Sequence, residues 1–99
     1  MSTTPIERRV NQMHAVFVTA RISDMATARQ ELHERVVPAV SQESGFVAGY
    51  WIAPGQSGTS NAVMVFESEE AARTAADRYE PPSAVAIEST KFAKVAGHA

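Results

Sequence analysis

The sequence predicts an α+β domain with the element order β-α-β-β-α-β, and three observations carry that expectation. Stretches rich in β-branched and aromatic residues alternate with stretches whose apolar residues recur every three or four positions. These are the periods of strands and helices respectively. Turn residues mark the boundaries, most clearly Pro54-Gly55-Gln56-Ser57-Gly58-Thr59 and Pro81-Pro82. Each of the first three strands also carries large apolar residues on both faces, the pattern of a sheet covered on both sides rather than wetted on one.

Residues 1–11 are polar, with Pro5 and the pair Arg8–Arg9, and read as a flexible N-terminal arm ahead of a single domain over residues 12–99. From Gln12 to Ile22 the run is rich in residues that suit a pleated surface (Val16, Phe17, Val18, Thr19) and predicts the first strand. Ser23–Asp24 reads as a helix start, because either side chain can accept from the unpaired N–H groups of a first turn. Met25, Ala28, Leu32, Val36 and Val40 then form an apolar stripe, supported by Glu31 and Arg35 as an i,i+4 pair. Pro38 lacks a backbone donor and disfavours helical geometry at Val37, which predicts a kink or break there. Gly45 is the expected stop.

Phe46 to Ala53 predicts the second strand and Ser60 to Glu67 the third, joined by the turn-rich hairpin loop. Ser68 can cap the next helix, with Glu69 and Glu70 in its first turn, where negative charge favours the helix dipole. That helix sets Ala72, Ala75, Ala76 and Tyr79 on one face and ends before Pro81. A last strand spans about Ala84 to Val95.

Composition bounds the function. A chain of 99 residues holds one domain and one core, and 44% hydrophobic with 20% charged residues argues for an ordered globular fold. Nine basic residues against eleven acidic ones leave a net charge of −2, and no Lys/Arg stripe points to nucleic acid. Absence of cysteine removes disulfides, thiolate nucleophiles and Cys-based metal sites. No apolar run approaches the ~18 residues of a membrane span, and the first ten residues lack a signal-peptide core, so a cytoplasmic location is expected.

The middle hairpin pairs strands two and three, and right-handed crossovers set both helices on one face. The outcome is a ferredoxin-like arrangement with an antiparallel four-stranded sheet. The other face then lacks cover, although its residues are apolar. A homodimer with two sheets packed face to face, or closed into one barrel, resolves that conflict. The bland alternative is a sheet of short strands with modest exposure.

At these residues the chain resembles the dimeric α/β-barrel superfamily, and within it the antibiotic-biosynthesis-monooxygenase-like group. The likeness lies in the strand His14–Ile22, the helix from Asp24 with its Val36-Val37-Pro38-Ala39-Val40 end, the Gly45-Phe46-Val47-Ala48-Gly49-Tyr50-Trp51 stretch and the Ser68-Glu69-Glu70-Ala71 helix start. It covers about residues 12 to 96. The resemblance implies a pocket between the helices and the sheet of each subunit, and the alanines of the second helix suit such a space; close helix–sheet packing explains them equally well. It also implies oxidation of a small aromatic quinol or polyketide-type substrate without a cofactor, because the substrate itself carries the electrons. That chemistry needs a dry pocket, a proton acceptor and hydrogen bonds to the reacting anion. The heme-degrading branch uses a histidine on the second helix as iron ligand, and Ala71 to Tyr79 contains none.

Candidate residues follow from that chemistry. Tyr50 and Trp51 offer a flat stacking wall, or else anchor the core or an interface. Asn61, at the start of the third strand, can orient a phenolate or peroxide oxygen, or finish the preceding turn. His14 and His33 are candidate bases, with solvated edge and helix-surface positions as the plain alternatives. Arg21 and Arg78 can grip an anionic substrate, or pair with surface acids. Three scattered histidines without a paired spacing predict no metal site. The leading expectation is thus a cofactor-free monooxygenase. The alternatives are a non-catalytic dimeric module for a small ligand or a protein, and an isomerase or dehydratase using His14.

Overall fold

The computed structural model describes residues 12–99, so the arm expected over residues 1–11 lies outside it. The elements are β1 (His14–Ile22), a helix α1 over residues 25–41, β2 (Phe46–Ile52), β3 (Thr59–Phe66), α2 (Glu69–Arg78) and β4 (Val85–Lys94). The sheet runs β2-β3-β1-β4, antiparallel throughout. Both helices pack on one face, the ferredoxin-like arrangement.

Local chemistry accounts for the boundaries. The Asp24 carboxylate accepts from the Thr27 N–H at 3.2 Å and from the Thr27 hydroxyl at 2.9 Å, which starts α1. The Ser68 hydroxyl accepts from the Ala71 N–H at 3.1 Å and starts α2. The interruption expected at Pro38 lies one turn earlier. Met25–Glu31 and Val37–Ser41 are α-helical, and Leu32–Val36 between them is a π turn in which the Val37 N–H reaches the Leu32 carbonyl. Widening the turn ahead of the proline shifts the bonding by one residue and lets the helix continue through it. After α1, Gly45 adopts φ +77°, and a methyl group there would lie 2.9 Å from the Ala71 side chain. Both the conformation and the close approach call for glycine.

The core lies between the helices and one sheet face. Val16, Met64 and Phe66 meet Val36, Val40 and Ala72, each at most 6% exposed. Ala72 and Ala75 are buried and Ala76 packs at the core edge, so the alanine face of α2 serves close packing against the core. The second sheet face is open. A row of partnered residues, Tyr50, Val63, Phe17 and Lys91, crosses it, with Tyr50 67% and Phe17 42% exposed.

A bulge in β2 decides which side chains face the helices. Phe46 pairs with Phe66, but Ala48 pairs with Val65, so Val47 is the extra residue and the alternation flips beyond it. Tyr50 and Ile52 therefore turn to the open face, and Trp51 turns toward the helices. No helix among the described residues is long and apolar enough to cross a membrane.

Candidate functional site

The helix-covered face is filled at one end and hollow at the other. Near the C-terminal end of β1 the inward residues are small: Ala20, Ala62 and Ser60 from the sheet, facing Ala28 from α1. A cavity of about 230 Å³ remains there. Met25, Leu32 and His33 of α1 form its roof, Trp51 a side wall, and Tyr79, Pro81 and Pro82 a second wall from the segment between α2 and β4. Its lining is overwhelmingly apolar, the setting in which a few polar groups determine ligand orientation.

The most informative polar pair is Trp51 with Tyr79. The Trp51 indole ring lies over Gly49, where an added methyl would come within 3.0 Å of the ring. In that pose Nε1–H donates to the Tyr79 hydroxyl at 3.1 Å. Burial pushes the Tyr79 phenol above its ordinary range, an effect partly opposed by the Trp51 donor and the nearby Arg35. Tyr79 is thus a neutral hydroxyl at physiological pH. Its oxygen already accepts from Trp51, which leaves its own proton to donate.

The wall that holds Tyr79 is tied down from α1. Arg35 donates to the Pro81 carbonyl at 2.9 Å and the Glu80 carbonyl at 3.2 Å, and it also meets Glu31 at 3.4 Å. The expected Glu31–Arg35 pair therefore forms part of a clamp on the cavity wall. Inside the cavity, the Ser60 hydroxyl donates to the Ala20 carbonyl at 3.4 Å.

The structure gathers only part of the predicted set. Trp51 and His33 line the cavity, His33 from its exposed rim. Asn61 borders the cavity, but its side-chain oxygen accepts from the Thr19 hydroxyl at 3.4 Å on the open face. Tyr50 also points to the open face. Arg21 bonds Glu88 at 2.8 Å and the Ser57 carbonyl at 3.3 Å, and Arg78 bonds Glu43 at 3.0 Å. His14 sits at the other end of β1, its Nδ1 3.0 Å from the Gln12 carbonyl and its Nε2 3.9 Å from Glu69. Tyr79 was placed in the sequence only as a helix-face residue. A tyrosine on an otherwise small apolar stripe, just ahead of two prolines, was the available signal, since a buried phenol needs a partner.

A sheet in the order β2-β3-β1-β4, two helices on one face and a cavity between them are the defining geometry here. The chain has the fold of the antibiotic-biosynthesis-monooxygenase-like proteins. Among similar solved structures, a heme-degrading protein of Mycobacterium tuberculosis is 25% identical, with a TM-score of 0.55 over 90% of this chain and 98% of that one. A monooxygenase of Streptomyces coelicolor, from the gene ActVA-Orf6 and solved in complex with nanaomycin D, is 18% identical, with a TM-score of 0.58 over 97% of each chain. A protein of unknown function from Nitrosomonas europaea is 12% identical, with a TM-score of 0.59 over 90% of this chain and 95% of that one. No protein-family model and no curated protein sequence matches the chain.

One of these neighbours is a heme-degrading protein, so the side chains able to ligate iron bear on function. A heme iron needs an axial side-chain ligand. Helix α2 carries no histidine and His14 is beside Glu69, whereas His33 and Tyr79 line the cavity. Of the residues lining the cavity, His33 on the exposed rim carries the one imidazole. No group of three or more His, Asp or Glu side chains gathers among the described residues to hold a metal ion.

Proposed function

We propose that the protein is a cofactor-independent monooxygenase acting on a small aromatic quinol or polyketide-type substrate held in the cavity between α1 and the sheet. The observation that carries this reading is the Trp51–Tyr79 pair at the wall of an apolar cavity. The substrate ring stacks on Trp51, and the free Tyr79 proton donates to its phenolic oxygen as negative charge develops there. Stabilisation of that anion is worth most in a dry site. His33, on the rim, takes the phenolic proton. The balance is complete with molecular oxygen alone: a quinol ring C–H becomes C–OH as the diol becomes a dione, or an anthrone CH₂ becomes C=O. In each case one oxygen atom enters the product while the second leaves as water with two hydrogens. The substrate supplies all the electrons.

A second copy of this chain covers the open sheet face in this reading. Phe17, Tyr50 and Ile52 are 42%, 67% and 52% exposed there, beside the half-buried Val63 and Val65. Such a contiguous apolar surface favours a partner with the same surface. Native mass spectrometry is expected to give a dimer, and a monomer at micromolar concentration would remove this part.

Oxygen uptake with a panel of naphthalene-diols and anthrones tests the activity. Uptake above the spontaneous rate is expected for at least one compound, with a loss of about tenfold or more in Tyr79→Phe, whose phenyl ring preserves the wall without the hydroxyl. Uptake at the spontaneous rate across the panel, with saturable binding retained, favours the alternative of a non-catalytic ligand-binding module.

A further inference from the structure

The cavity mouth is charged unlike the surface around it. Arg29 lines it beside His33, and neither Asp nor Glu contributes to its wall, although the chain has eleven acidic residues against nine basic ones. Arg29 and His33 stand four residues apart on α1, a spacing that makes side chains neighbours on a helix. The acids closest in sequence are engaged elsewhere: Glu31 with Arg35 at 3.4 Å, and Glu34 as acceptor from the Gln30 amide at 3.3 Å.

Arg29 also differs from its own kind. Arg21, Arg35, Arg73 and Arg78 each hold a carboxylate. Arg29 has no such partner among the described residues. A guanidinium presents a planar fork that matches a carboxylate, and it sheds water more readily than an ammonium. The exposed Arg29 side chain borders the same cavity as Trp51.

We infer that the mouth selects aromatic acids: ligands whose rings fill the cavity and whose carboxylate meets Arg29, with His33 alongside. This rests on the cavity being the substrate site and adds the class of substrate. Arg29 determines specificity rather than chemistry, because it meets the carboxylate and not the phenolic oxygen or the ring carbon that reacts. An exposed ion pair is worth little, so the selection is a preference of about fivefold rather than an absolute requirement.

The test uses 2-naphthoate and its neutral isostere 2-naphthamide as probes against the ¹⁵N-labelled full chain. The indole N–H of Trp51, the only tryptophan, reports occupancy of this cavity. Both probes are expected to shift it saturably, the acid binding about fivefold tighter at low salt. In Arg29→Gln the preference should fall to within about twofold with amide affinity unchanged, and Arg29→Lys should retain part of it. Salt at about 0.5 M should shrink it in the parent protein. Equal affinities in the parent protein, or a preference that survives Arg29→Gln, overturn the inference. If neither probe moves the indole resonance, the inference falls together with the cavity as a ligand site. An acid preference without turnover of any quinol upholds it and removes only the monooxygenase reading.

Discussion

The two ends of the helix-covered sheet face have the same backbone architecture and opposite packing. Under α2 and the last turns of α1, Val16, Met64, Phe66 and Val36 are at most 2% exposed, and Ala72 is fully buried among them. Under the first turns of α1, the same sheet presents Ala20, Ala62 and Ser60 to Ala28, and a cavity of about 230 Å³ remains. Small side chains thus have opposite consequences at the two ends. On α2 they let the helix settle onto the sheet. On α1, beside the Pro81–Pro82 wall and the Trp51 ring, the same residue type borders a hole. Folding energy comes mainly from the first end, and the open space lies at the second.

The largest effect belongs to the filled end. Phe66→Ala should cost about 3–5 kcal/mol in urea unfolding, since neighbours packed this tightly cannot collapse around the gap. A loss under about 1 kcal/mol would show that this end is looser than its burial implies. The comparison sharpens with one substitution placed at both ends. Ala72→Leu should destabilise by about 1–3 kcal/mol through overpacking, whereas Ala28→Leu, entering open space, should cost less than about 1 kcal/mol. Equal penalties would contradict the contrast.

How much of this was legible in the sequence follows from the kind of information each feature needs. Helix starts were readable because Asp24 and Ser68 act on N–H groups within three residues. The strands were readable from side-chain type, and the site was not. Alternation shows that a strand has two faces, but the extra residue Val47 reverses which face Trp51 takes, and a bulge leaves no mark in residue composition. The Trp51–Tyr79 bond joins residues 28 positions apart and depends on that flip. Tyr50, predicted beside Trp51, stands on the opposite face by plain strand alternation. Asn61 and Arg21 share the open face because their strand partners Thr19 and Thr59 do. The cavity itself arises from what is missing between Ala28, Ala62 and Ser60, which meet only in three dimensions.

Gly49→Ala probes the seating of the tryptophan. A methyl 3.0 Å from the indole must push the ring aside, and backbone neighbours leave the ring as the part that gives. The expected result is a shifted Trp51 indole resonance and a cost of about 1 kcal/mol as the bond to Tyr79 lengthens. An unchanged resonance would mean that the ring is not held by its bond.

The smallest effect is a pH dependence at the rim of α1. Donation from the Thr27 N–H, and then from its hydroxyl, lowers the Asp24 carboxyl below its usual 3.8. A depressed folded value means that the stability Asp24 lends is complete above about pH 4 and is lost as pH falls toward the folded value. Asn caps a helix about as well without titrating. Thermal unfolding of Asp24→Asn should therefore match the parent at pH 7 and fall slightly less steeply below pH 4. A steeper acid decline would reverse the sign of the argument.

The central claim is that an aromatic ligand occupies the hollow end. Its most direct test is an anaerobic titration of the ¹⁵N-labelled protein with 1,4-dihydroxynaphthalene, following the Trp51 indole N–H in the parent and in Ala28→Leu. The account predicts a saturable shift in the parent and clearly weaker binding in Ala28→Leu, whose added side chain takes up part of the cavity while the rest of the spectrum stays folded. A saturable shift of equal affinity in both proteins, or no shift in the parent, would contradict it.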